Sequence, residues 1–166
     1  MFQRITDAVY NSVSGAFFLS GAGGTGKTYV YRTICHRLRS EGKIVLYIAS
    51  SGIATLLLPR GRTTHSTFHI PIHNLLPESI CNISKQDKRA KLLRSVDLII
   101  WDEAPAQNRF THEALDHTLR DLCDNKLQLF AGKMVVLGGD FQQTLPVVPN
   151  GSEEDVINVS LPRSYL

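Results

Sequence analysis

The chain has 166 residues, 43% of them apolar and 20% charged, which is the size of one ordinary domain with enough apolar surface to fold without staples. That composition excludes a disordered tail and a disulfide miniprotein, and no apolar run approaches the roughly 20 residues of a membrane span. Basic side chains exceed acidic ones to give a formal charge of +3, a bias compatible with nucleic acid but too small to argue for it. The start, MFQRITDAVY, lacks a basic stretch followed by an apolar one, so no secretory leader is expected. Cys35, Cys81 and Cys123 are an odd, widely spaced set without CxxC spacing, expected as reduced thiols of an intracellular protein.

Four short apolar runs mark expected strands: residues 16–19 (AFFL), 44–49 (IVLYIA), 96–101 (VDLIIW) and 134–137 (MVVL). They are continuous rather than alternating, as in strands buried on both faces of a parallel sheet. Between them lie helical patterns. Residues 27–39 carry Val30, Ile34 and Leu38, with Gly42 as a stop. Residues 85–94 form a short basic helix (KQDKRAKLLR). Residues 110–123 space Leu115, Leu119 and Leu122 by four and three, with Asn108 or Thr111 as N-cap. Residues 63–84 read as loop, because Pro71 and Pro77 break any long helix. Strands alternating with helices predict an α/β domain with a mainly parallel sheet flanked by helices.

Directly after the first strand stands GAGGTGKT, Gly21 to Thr28, followed at once by the first helix. This is GxxxxGK[ST] in the strand–loop–helix setting that phosphate binding requires. Gly21, Gly23, Gly24, Thr25 and Gly26 let backbone N–H groups converge on phosphate oxygens at a helix N-terminus. Lys27 is then expected on the β- and γ-phosphates, and the Thr28 hydroxyl on Mg²⁺. The motif specifies nucleotide binding without choosing among kinase, GTPase, ATPase and helicase.

The third strand runs into Asp102-Glu103-Ala104-Pro105. Asp102 is expected to hold Mg²⁺ through water, and Glu103 to polarise the attacking water. Adjacent side chains of an extended strand point apart, so the two roles can be separate. A built-in glutamate counts against a GTPase, and a small-molecule kinase has little need of one.

The fourth strand ends in GGDFQQTLP, residues 138–146, which puts polar groups at the carboxyl edge of the sheet, where open α/β folds bind ligands. With GAGGTGKT, ASSGIATLLLPRGRTTHSTFHIP, the DEAP box and GGDFQQTLPVVPNGS in that order, the sequence resembles the first motor domain of the Pif-one-type (petite integration frequency) superfamily-one DNA helicases. The resemblance implies a RecA-like P-loop NTPase domain, over residues 1–166, of an enzyme that hydrolyses ATP with Mg²⁺ and moves five-prime to three-prime along single-stranded DNA. It also implies work in DNA repair, recombination and telomere maintenance, in the nucleus or the mitochondrion, and a second motor domain that these residues do not contain. By position, Gln143 becomes the γ-phosphate sensor, with Lys27 and Glu103 as its catalytic companions. Ser50, Ser51, Gly52, Thr64, His65 and Phe68 fall on DNA-contacting segments. Gln3 lies near the glutamine motif that precedes the phosphate loop in that family.

Other readings compete at several positions. The chain could be a non-catalytic nucleic-acid-binding remnant, or, less readily, a P-loop small-molecule kinase. Phe68 is either a stacking platform for a base or a core residue. His65, His69 and His73 recur every four residues with Cys81 beyond, but Pro71 breaks the shared face that zinc would need. Lys85, Lys88, Arg89, Lys91 and Arg94 either touch phosphates or form a solvated helix face. Trp101 reads as packing.

Overall fold

The computed structural model describes residues 1–57, 60–71 and 75–166. Its centre is a sheet of β1 (Gly15–Ser20), β2 (Val45–Ala49), β3 (Arg62–Thr63), β4 (Leu98–Asp102) and β5 (Met134–Gly139), in the order β1-β5-β4-β2-β3 with every pairing parallel. The four apolar runs supply the four longer strands. β4 and β5 are buried along their whole length, which is why their sequences do not alternate.

Alternation returns in which layer each residue meets. Leu98 and Ile100 of β4, Met134 and Val136 of β5, and Val45 and Tyr47 of β2 face a layer made by α1 (Phe2–Tyr10) and α2 (Lys27–Ser40). Ile99, Trp101, Val135 and Leu137 face the opposite layer, which holds α5 (Lys88–Ser95) and α6 (Arg109–Leu122). Between β2 and α5 come the one-turn helices α3 (Gly52–Thr55) and α4 (Thr64–Phe68). The last helix, α7 (Glu153–Asn158), follows β5.

α2 buries Tyr31, Ile34, Cys35 and Leu38 on the stripe that spacings of three, one and three produce. It ends where Gly42, at φ 79°, takes the left-handed step and Lys43 N–H reaches back to Leu38 O at 3.0 Å. α6 starts at Asn108, whose Oδ1 accepts the Phe110 N–H at 2.9 Å; Thr111 lies inside the first turn. α5 starts at Lys88 rather than Lys85, because the Asp87 carboxylate caps it through the Arg89 N–H at 2.8 Å.

Candidate active site

All four sequence motifs leave the sheet at one edge. GAGGTGKT follows β1, GGDFQQ starts in the last two residues of β5, DEAP starts at the last residue of β4, and SSG follows β2. Because β5 lies between β1 and β4, the strand carrying the phosphate loop and the strand carrying the carboxylates are two places apart, about 10 Å at ordinary strand spacing. A phosphate chain with a hydrated metal ion spans such a gap.

In the loop, Gly24 and Gly26 take φ 78° and 90°, backbone that a β-carbon would strain. Gly26 is the N-cap of α2, so the first N–H groups of that helix open into the loop. The Thr25 hydroxyl donates to Ala22 O at 2.8 Å. The Lys27 ammonium folds over the loop and donates to Gly21 O and to Ala22 O, the latter at 3.1 Å. A glycine cradle closed by a cation, with helix N–H groups behind it, suits a polyphosphate. Thr28 is half-buried in the first turn of α2.

β5 ends against both layers. A β-carbon on Gly138 would stand 1.6 Å from the Tyr31 hydroxyl, and one on Gly139 would stand 2.5 Å from Pro105 Cδ. The paired glycines therefore let α2 and the DEAP turn close on the strand from opposite sides. Gly139 O accepts the Gly21 N–H at 3.2 Å, which ties this strand end to the phosphate loop. The Gln143 amide lies 3.5 Å from where a β-carbon on Gly23 would stand. The turn before it is fixed by Asp140, whose Oδ1 accepts the Gln142 N–H at 2.9 Å, and by Phe141, stacked on Phe18 with centroids 4.7 Å apart.

Asp102 and Glu103 do point apart. Asp102 continues the Leu98–Ile100 side of β4, toward α2, and is 5% exposed. Its Oδ2 accepts the Tyr47 hydroxyl at 2.9 Å, and its Oδ1 accepts the Glu103 N–H at 3.0 Å. Glu103 leaves the strand in left-handed backbone, φ 53° and ψ 34°, a conformation costly for a residue with a β-carbon and concentrated at functional sites. Ser50 Oγ donates to its carbonyl at 2.6 Å, and Ser51 Oγ to its Oε2 at 2.9 Å.

Those bonds engage part of the expected DNA-contacting set within the fold. Both serine hydroxyls donate to Glu103, Ser50 Oγ also lies 3.4 Å from Asp102 O, and Ser51 Oγ accepts the Ala54 N–H as the cap of α3. The Thr64 hydroxyl is buried and donates to Ala49 O at 3.1 Å. Phe68 has no exposed surface and packs on Trp101, 6.0 Å between centroids, so it is a core residue with no face for a base. Gly52 remains exposed and His65 half-exposed; burial pulls the His65 imidazole below its ordinary range and favours the neutral ring.

The basic segment is partly consumed within the fold. Lys85 pairs with Asp121 and Asp124 at 3.2 Å, Arg94 donates to Leu122 O at 2.9 Å, and Arg89 meets His69 Nδ1 at 2.8 Å. His73 lies outside the described residues. Among the described residues no group of three His, Cys, Asp or Glu side chains is placed to hold a metal. Gln3 is exposed on the first turn of α1. Tyr31 and Tyr47, which converge on Asp102, were not legible as site residues: their sequence signal is that of ordinary core aromatics, and only the β2–β4 register reveals them.

A parallel sheet with a glycine-rich phosphate loop after β1 and an acidic pair at the end of β4 defines a RecA-like phosphate-loop NTPase domain. The model of the PIF1-like helicase family matches residues 1–166, and the chain belongs to that family. It is 33% identical over 142 residues to the ATP-dependent DNA helicase PIF4 of Trypanosoma brucei brucei, covering 83% of this chain and 17% of that protein. To the ATP-dependent DNA helicase Pif1 of a Psychrobacter species it is 33% identical, covering 81% and 20%. The crystal structure of Pif1 helicase from Candida albicans superposes with TM-score 0.77 at 27% identity, over 99% of this chain and 36% of that one. The Bacteroides Pif1 bound to single-stranded DNA superposes with TM-score 0.73 at 26% identity, over 95% and 34%. The chain thus spans about a fifth of these curated relatives. Family membership removes the small-molecule kinase from contention.

Proposed function

We propose that the chain is the first motor domain of an ATP-dependent DNA helicase, translocating five-prime to three-prime on single-stranded DNA together with a second motor domain of the longer protein. The observation that carries this reading is the meeting, at one sheet edge, of the Lys27 loop, the Asp102–Glu103 pair and the Gln143 amide, in a chain of the PIF1-like family. Lys27 and the N–H groups of Gly21, Gly23, Gly24, Thr25 and Gly26 bind the phosphates. Thr28, and Asp102 through water, hold Mg²⁺, which when bound neutralises phosphate charge. Glu103 orients and polarises the attacking water, and Gln143 reads the γ-phosphate. Ser50, Ser51, Gly52 and His65, all at least partly exposed after β2, meet the DNA backbone. Ser50 and Ser51 also link the end of β2 to Glu103. Roles in repair, recombination and telomere maintenance, in the nucleus or the mitochondrion, belong to the same proposal.

The test is phosphate release by the longer protein with and without single-stranded DNA, wild type against Glu103→Gln. The expected result is DNA-stimulated turnover that the variant loses while it still binds a fluorescent ATP analogue. Wild-type turnover in the variant would remove Glu103 from the chemistry. Absence of DNA-stimulated turnover in the wild type would favour the non-catalytic remnant.

A further inference from the structure

Two buried tyrosines converge on one carboxylate. Tyr47 stands on β2 opposite Ile100, two residues before the Ala49–Asp102 pair and on the same face of the sheet, and its hydroxyl donates to Asp102 Oδ2 at 2.9 Å. Tyr31 stands on α2 one turn beyond Lys27 and Thr28, its ring tilted against that of Tyr47 with centroids 6.1 Å apart. Their exposures are 0% for Tyr31 and 2% for Tyr47.

The Tyr31 hydroxyl is buried beside Gly138 and, among the described residues, meets no acceptor at full hydrogen-bond geometry, although it lies near enough to Asp102 to interact with it. Orphaned buried hydroxyls are rare, because a phenylalanine would fill the same space without stranding a polar group. At neutral pH a tyrosine hydroxyl is protonated and can donate. Asp102 can accept about four hydrogen bonds. Tyr47 takes one lone pair of Oδ2 and the Glu103 N–H takes one of Oδ1, leaving one on each oxygen.

We propose that Tyr31 and Tyr47 are positioning residues that brace Asp102 from behind, fixing the rotamer in which its unused lone pairs face the phosphate loop. Tyr47 holds the carboxylate as it stands. Tyr31, on the phosphate-loop helix itself, is the donor available when that helix and loop adjust around a phosphate chain. The inference rests on the reading of Asp102 as the acid that holds hydrated Mg²⁺.

Tyr47→Phe and Tyr31→Phe keep the rings and remove only the hydroxyls. Mg²⁺ is titrated into the purified chain with a fluorescent ATP analogue, and thermal midpoints are recorded alongside. Partners that orient a metal ligand affect metal affinity by 10–100-fold; the expected result for Tyr47→Phe is a rise of about tenfold in the Mg²⁺ concentration at half-saturation. Analogue binding in EDTA stays at the wild-type level, and Tyr31→Phe shifts the midpoint in the same direction. Asp102→Asn separates the two ideas. If it shifts the Mg²⁺ midpoint and neither tyrosine variant does, the brace is overturned and the reading of Asp102 stands, even if thermal midpoints fall. If Asp102→Asn leaves the midpoint unchanged, the reading fails and the brace fails with it.

Discussion

Gly138 shows how much a site can rest on a side chain that is missing. The Tyr31 hydroxyl occupies the space of a β-carbon there, 1.6 Å from its ideal position, with the ring carbon behind it at 2.8 Å. Neither the strand nor a buried ring at 0% exposure can move away cheaply. Gly138→Ala is therefore expected to destabilise the domain by about 1–3 kcal/mol, the usual cost of overpacking a filled core. Adding Tyr31→Phe removes the closer of the two clashing atoms, so the double variant should recover part of that loss, as contacting residues do in a double-mutant cycle. Urea denaturation of the four proteins measures the coupling. Strict additivity would mean that Tyr31 and Gly138 do not share this space. The same contact accounts for the first glycine of the pair before Asp140, and Pro105 Cδ, 2.5 Å from a β-carbon on Gly139, accounts for the second.

At the scale of elements, the longer strands and α2, α5 and α6 were legible because each carries its own local signal: an uninterrupted apolar run, a stripe of apolar residues, or a cap. α1 also carries a local signal, Phe2, Ile5, Ala8 and Val9 at spacings of three, three and one, and its stripe is the one α2 covers. α4 lies in a stretch read as loop from its prolines, yet five residues fit before Pro71, and burial of Phe68 under Trp101 holds them. α7 did carry a signal that went unused, the Ser152–Asp155 capping box. The phosphate loop was readable because its chemistry is local. The serine and tyrosine contacts to the acidic pair were not, since they depend on the β2–β4 register.

α6 also carries a titrating group of its own. His112 is fully buried, stacks on Trp101 with centroids 4.3 Å apart, and among the described residues neither ring nitrogen has a partner at full hydrogen-bond geometry. Burial dominates over the favourable Asn108 and Arg109 backbone and holds the imidazole down to about 3. An unfolded histidine titrates near 6.5. Above that value both states are neutral and His112 makes no pH-dependent contribution. As pH falls from 6.5 toward 3, the unfolded chain takes up a proton that the folded one refuses, and stability declines by about 1.4 kcal/mol per pH unit. His112→Phe keeps a stacked ring and should flatten the acid limb of stability against pH by one proton. An unchanged slope would show that the histidine is charged in the folded domain.

At the scale of the whole domain, the nucleotide-facing groups gather on one side. Every group gathered around the phosphate loop comes from one sheet edge, and the chain covers 36% of the Candida albicans Pif1 structure it superposes on. Around that edge, apolar side chains stand in water: Ile53 and Leu56 after β2, and Leu145 and Val147 after β5, with Val147 at 87% exposure. Such a surface favours association. Phosphate-loop enzymes gain about 10³- to 10⁵-fold in rate from an arginine finger approaching the γ-phosphate, and translocation needs two domains that close and reopen on the strand. The 166 residues alone are therefore expected to bind ATP weakly through the Lys27 loop. They should lose that binding in Lys27→Ala, hydrolyse ATP slowly without stimulation by single-stranded DNA, and leave a forked duplex intact. Binding, phosphate release and strand separation measured on the one purified chain check all of this. Strong DNA-stimulated hydrolysis would instead require a complete site, and light scattering under the assay conditions would then show whether copies had assembled through the exposed apolar edge to form one.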